Sequence, residues 1–203
     1  MRICEYNIRK EVGPMNGQCR FSHVTKEYLK VFFCILNEMI RGMTEVKLTD
    51  SISHNLIMQM IPHHEAAIKM SNNILKYTTD ISLQDIALQV ITEQTKSIGN
   101  MRSIVKHCGE LNNEEHDLCA YNKTMRQIMQ TMFSRMRCAQ ITNSINCNFM
   151  WEMIPHHEGA VEMAKNALEF DICCELRPIL QSIIVSQQCG IKQMQELLRC
   201  LGC

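Results

Sequence analysis

The chain has 203 residues, enough for one or two domains with a sizeable buried core. Its 21 basic and 21 acidic side chains cancel, and no basic stripe marks a nucleic-acid surface. The longest apolar run, Val31 to Leu36, is far too short to span a membrane.

The first residues, Met1 to Gly13, lack the apolar segment of a secretory signal, so a cytoplasmic location is expected. Residues 1–21 read as an N-terminal extension. Beyond them apolar residues recur every three or four positions, the period of amphipathic helices. Six helices are predicted, over about 24–44, 51–76, 83–108, 114–138, 144–169 and 175–201. Ser51 and Ser144 stand where the second and fifth helices need N-caps. Ser82 with Asp85 resembles a capping box, and Gly109 is placed to end the third helix. Met125, Met129, Met132 and Met136 form one stripe along the fourth helix. Pro62 and Pro155 fall inside the apolar period, where each removes a ladder hydrogen bond at a cost of about 3 kcal/mol. A kink just before the following histidines is expected. A helix that starts at each proline is the alternative.

The second and fifth helices carry one phrase said twice. Residues 60–70 read MIPHHEAAIKM and residues 153–163 read MIPHHEGAVEM, identical at eight of eleven positions and offset by 93. The offset extends further: Tyr28 matches Tyr121, Met39 matches Met132, Asn55 matches Asn148, and Gln94 matches Gln187. The chain therefore divides into repeats over 22–110 and 113–203. Each is small to stand alone, so one shared core is expected.

On a helix, Met60, His63, Ala67 and Met70 share a face, as do Met153, His156, Ala160 and Met163. Met60 also lies one turn from His64, and Met153 one turn from His157. The next helix of each repeat adds Met101 or Met194. Imidazole and thioether together suit copper(I), and imidazole also suits zinc. Glu65 and Glu158 are expected to accept hydrogen bonds from ligating imidazoles, although they could themselves be ligands. Packing histidines and core methionines form the competing explanation.

Twelve cysteines ignore the 93-residue offset. The predicted helices and the missing signal favour reduced thiols, mostly small buried hydrophobes with a few exposed. Soft-metal capture or redox chemistry is the alternative use for them.

At the doubled phrase the chain resembles the bacterial family called domain of unknown function 305. Its members carry two Met-Ile-x-His-His-Glu phrases, each followed by a helix patterned like Ile91, Gln94, Ile98 and Met101, or Ile184, Gln187, Ile191 and Met194. The resemblance covers about residues 50–203. It implies an all-α, ferritin-like helical bundle of two tandem pseudo-symmetric repeats, associated with copper binding and copper tolerance. Many members are exported, unlike the expectation for this chain. The reading is a non-catalytic protein whose partner is a metal ion, most simply copper(I), for storage, buffering or tolerance. A homo-oligomer is compatible with it; nucleic acid and membrane are not expected as partners. A structural or partner-binding bundle, its Met-rich faces serving as an adaptable interface, is the second reading. A di-iron oxidase fits less well: it needs Glu-x-x-His motifs, and the chain has His-His-Glu.

Overall fold

The computed structural model describes residues 21–203, so the extension predicted over 1–21 lies almost wholly outside the described residues. Six helices make up the described chain: α1 (His23–Thr44), α2 (Ile52–Ile74), α3 (Ile81–Cys108), α4 (Glu115–Arg137), α5 (Ile145–Leu168) and α6 (Leu176–Leu201). Every expected helix is present, with ends within two residues of those read from the sequence. No strand occurs among the described residues. The protein is an all-α bundle.

Helix α2 packs between α1 and α3, and α5 packs between α4 and α6. The two triplets join along two seams, α2 against α5 and α3 against α6. The helices bearing the phrase are therefore the central pair. They contain so many buried positions that little polar face remains, as expected of helices surrounded by others. Both run unbroken through Pro62 and Pro155, so neither helix starts at its proline.

Local chemistry explains where these helices begin. Ser51 Oγ accepts from His54 N, and Ser144 Oγ accepts from Cys147 N, as N-caps do. The buried amides of Asn55 and Asn148 then pin the incoming loops. Asn55 Oδ1 accepts from Thr49 N and its Nδ2 donates to Thr49 O, both at 2.8 Å. Asn148 makes the same pair with Thr142, also at 2.8 Å. Further on, Asn73 donates to Tyr28 O and Asn166 to Tyr121 O, another pair of equivalents. The capping box expected at Ser82 is corrected: α3 starts earlier, at Ile81, and is capped by Asp80, whose Oδ1 accepts from Leu83 N at 2.9 Å.

The expectation of reduced thiols is also corrected. Cys108 is bonded to Cys173 and Cys147 to Cys203, with Cα separations of 5.2 and 5.9 Å. Each bridge ties elements distant in sequence, which no pattern within one repeat could reveal. Cys119, Cys138, Cys174, Cys189 and Cys200 are free and exposed.

Close packing shows at two glycines of opposite kind. Gly159 of α5 lies under Met132 of α4, where an added Cβ would fall 2.1 Å from Met132 Sδ and 3.2 Å from its Cβ. Gly99 of α3 is exposed and would meet nothing within 4 Å. Gly99→Ala should raise stability by about 1 kcal/mol through helix propensity. Gly159→Ala should lower it by about 1–2 kcal/mol, because overpacking outweighs that gain. Urea midpoints of the two variants moving in the same direction would contradict this packing.

Candidate metal centre

The phrase sits where α2 and α5 cross, so its two copies face each other. Adjacent residues on a helix project about 100° apart, and the protein uses both directions. His63 and His156 point into the α2–α5 seam and stack, ring centroids 3.7 Å apart with planes inclined by 29°. Each donates Nε2–H to the main-chain carbonyl of the other, both at 3.1 Å. A carbonyl only accepts, so in each neutral ring the proton is on Nε2 and Nδ1 keeps a bare lone pair.

The second histidine of each pair turns toward the third helix of its own repeat. His64 reaches toward α3, its Nε2 3.1 Å from Ser97 Oγ. His157 faces Gly190 of α6, where an added Cβ would come within 3.0 Å of its ring. Ser97 and Gly190 are equivalent positions, so the lack of a side chain in the second repeat leaves that imidazole in contact with backbone.

All four imidazoles are at most 2% exposed, and all four Nδ1 atoms are buried without a hydrogen-bond partner. Both amide atoms of Gln94 and the Oε1 of Gln187 share that condition. Each unsatisfied buried polar atom costs about 1–3 kcal/mol. Such a cluster is hard to reconcile with packing alone and is the arrangement expected of ligand atoms.

Burial, the largest cause, pushes every one of these imidazoles down. His64 falls to about 3, with the His156 imidazole adding to the effect. His156 falls to about 4, its bond to His63 opposing the shift. His63 and His157 lie well below the ordinary value, lowered further by the other histidines. All four are neutral at pH 7, the form that binds metals.

The thioethers named from the sequence are buried with them. Met60, Met101, Met153, Met163 and Met194 are fully buried and Met70 nearly so, all in one core. Among the described residues, no three of the four imidazoles bring ring nitrogens within 4.8 Å of one another. The centre thus offers no three-histidine cage; its imidazoles and the six methionines are buried in the same bundle core.

The two glutamates do not play the part expected of them. Glu65 pairs with Arg102 at 2.7 Å, and Glu158 pairs with Arg135. Their side chains are 44% and 33% exposed, on the outward side of their helices. The Nε2–H groups of His63 and His156 donate to main-chain carbonyls instead, and His64 Nε2 meets Ser97 Oγ. Sequence reasoning missed Glu152, one turn before His156 and 2% exposed. It accepts from Tyr28 Oη at 2.6 Å, and burial raises its carboxyl well above the usual range. Its equivalent, Gln59, is also buried, and that matching polar position was the available signal.

Between α3 and α6 a crevice of about 210 Å³ reaches the centre. Buried His64, Gln94 and Gln187 line it together with exposed Lys96 and Asn100. It brings solvent to the buried His64 and the two glutamines.

The unfolded chain protonates histidine near 6.5, whereas the folded chain keeps these four neutral to much lower pH. Their contribution is therefore full above about pH 6.5 and lost as pH falls below it, by roughly 1.4 kcal/mol per pH unit for each histidine. Glu152, raised in the folded state by its burial, gains relative to the unfolded chain as the pH falls through its raised pKa and offsets part of that loss. Urea unfolding of the metal-free protein should show a steep loss of stability between about pH 6.5 and pH 5. A flat profile there would mean that the imidazoles reach water.

Comparison with known proteins places this geometry in a family. The family model described as Domain of unknown function (DUF305) matches residues 54–198, which contain both phrases. The solved structure of CopM in a silver-bound form, obtained by soaking, is 26% identical, with a TM-score of 0.53, covering 76% of this chain and 97% of that one. A DUF305 fragment from Deinococcus radiodurans is 20% identical at the same TM-score of 0.53, covering 72% of this chain and 95% of the fragment, and supports the fold. No match was found among curated proteins. Spanning most of the described helices and both copies of the phrase, the match shows that this chain belongs to the DUF305 family.

Proposed function

We propose that the protein binds copper(I) in the core between α2, α3, α5 and α6, holding it for storage, buffering or tolerance without catalysing a reaction. One observation carries the reading: four buried, neutral imidazoles with unpartnered Nδ1 atoms, in a core that also buries the matching methionines. Copper(I) accepts low coordination numbers and soft thioether ligands, whereas zinc favours four donors of nitrogen, sulfur anion or oxygen. Imidazoles and thioethers buried in one core match the first ion better than the second. Silver(I) is likewise soft and singly charged, and the silver-bound form of CopM supports this choice by likeness. His63, His64, His156 and His157 would supply nitrogen, and Met60, Met70, Met101, Met153, Met163 and Met194 sulfur. We read the two repeats, 22–110 and 113–203, as one domain because the seam draws on both.

The rival readings have less support. A partner-binding role for the methionines would need the stripe Met125 to Met136 exposed, and all four of its methionines are buried. An iron oxidase would need several carboxylates at the centre, whereas Glu65 and Glu158 are paired with arginines at the surface. A cytoplasmic setting would keep thiols reduced, whereas the Cys108–Cys173 and Cys147–Cys203 disulfides favour an oxidising compartment. The metal reading holds in either.

The test is copper(I) titration against a chromophoric chelator, on protein purified without chelator. The variant with His63, His64, His156 and His157 all changed to Ala should lose stoichiometric uptake. Because four cavities threaten the fold, Met60→Leu with Met153→Leu is the packing-preserving companion. It should stay folded and bind about tenfold or more weakly. Uptake unaltered in the quadruple variant ends the reading.

A further inference from the structure

We propose that the Cys108–Cys173 disulfide covers a second, separate metal site, which opens on reduction and takes a tetrahedral d¹⁰ ion of the zinc(II) class. Its ligands would be Cys108, Cys173, His107 and Glu175. The residues come from two places brought together by the fold. His107 and Cys108 end α3, while Cys173 and Glu175 flank the turn into α6. His107, Cys173 and Glu175 each place a ligand atom within 4.8 Å of the others. Cys173 Sγ is 2.9 Å from Glu175 Oε2, and His107 Nε2 is 3.4 Å from Glu175 Oε1. Cys108 Sγ is held beside them by its bond to Cys173. Two thiolates, one imidazole and one carboxylate form a donor set suited to zinc, unlike the imidazole and thioether set in the bundle core.

Three features favour binding once the disulfide is broken. Ser51 Oγ donates to Cys108 O at 3.0 Å, and Cys173 N donates to Ser53 Oγ at 2.9 Å. The first turn of α2 therefore holds both cysteine backbones independently of the S–S bond. Glu175 is the N-cap residue of α6 but makes no side-chain cap bond, leaving its carboxylate turned to His107. Cys108 and Cys173 are buried while His107 and Glu175 are exposed, so the site has a sulfur floor and a mouth open to solvent.

The chemistry balances with a small thiol as reductant. Two equivalents of thiol, or one dithiol, give two electrons and two protons to the Cys108–Cys173 bond and leave as their own disulfide. The two cysteine thiols then lose their protons to solvent as the ion binds.

Cobalt(II) is the probe, because a thiolate ligand gives it a charge-transfer band that imidazole and thioether centres lack. The full chain carries Cys200→Ser and Cys203→Ser to remove the tail thiols, is reduced with dithiothreitol, and is desalted without oxygen. Cobalt(II) should then produce the band, zinc(II) should abolish it by displacement, and the unreduced protein should show none. His107→Ala and Glu175→Gln change exposed side chains, keep the fold, and should weaken zinc binding about tenfold or more. Cys173→Ser, compared with the equally bridge-free reduced parent, should remove the band. A folded, reduced protein without the band overturns the proposal, as does a band undiminished by Cys173→Ser.

Discussion

The crossing of α2 and α5 is the constraint on which the rest depends. At that point each helix presents a histidine whose Nε2–H is bonded to a main-chain carbonyl of the other helix. Because the residues are equivalent, the two bonds are reciprocal, and the rings are brought face to face at 3.7 Å. Stacking two imidazoles so closely is tolerable only if both are neutral, since two buried like charges would repel strongly. Burial enforces that neutrality. The contact thus sets the tautomer, fixes the crossing, and leaves both Nδ1 lone pairs without a partner.

The consequences spread outward from this contact. With one histidine of each pair committed to the seam, the helical turn directs the next toward α3 or α6. That is why all four imidazoles are buried and why the crevice between α3 and α6 meets His64. The flanking helices α1 and α4 bury Met39, Met43, Met132 and Met136 against the central pair, Met132 over Gly159. The outer faces of the central helices keep their charges in water, and there Glu65 and Glu158 find arginines. A buried carboxylate beside the rings would have raised their proton affinity; the carbonyl partners hold them without adding charge.

Equivalence between the repeats is strong at the centre and weak at the edges. The asparagine pins before α2 and α5 match bond for bond, as do the asparagine contacts to Tyr28 O and Tyr121 O. The departures have chemical content. Gln59 becomes Glu152, so one repeat buries a carboxyl paired with Tyr28 while Tyr121 Oη has no partner. Ser97 becomes Gly190, and the disulfides have no equivalents. The matching hydrogen bonds lie around the central helices, and the Cys108–Cys173 and Cys147–Cys203 bridges tie them without a matching partner in the other repeat.

Much of this was legible in the residues because helices are local. The 3.6-residue period, the serine caps and the doubled phrase determined six helices and their ends, and placed Met60, His63 and Met70, with Met153, His156 and Met163, on one face of their helices. Three features were not local, and only tertiary structure decided them. One was the partner of each side chain: Glu65 and Glu158 lie one residue from an imidazole in sequence, yet the helical turn carries them to the surface. Another was the direction of the paired histidines, which depends on the seam that α2 and α5 share. The last was the cysteines, since Cys108 with Cys173 and Cys147 with Cys203 are 65 and 56 residues apart and meet only after the helices have packed. Periodicity tells which face of a helix is buried; what that face meets is a property of the assembled bundle.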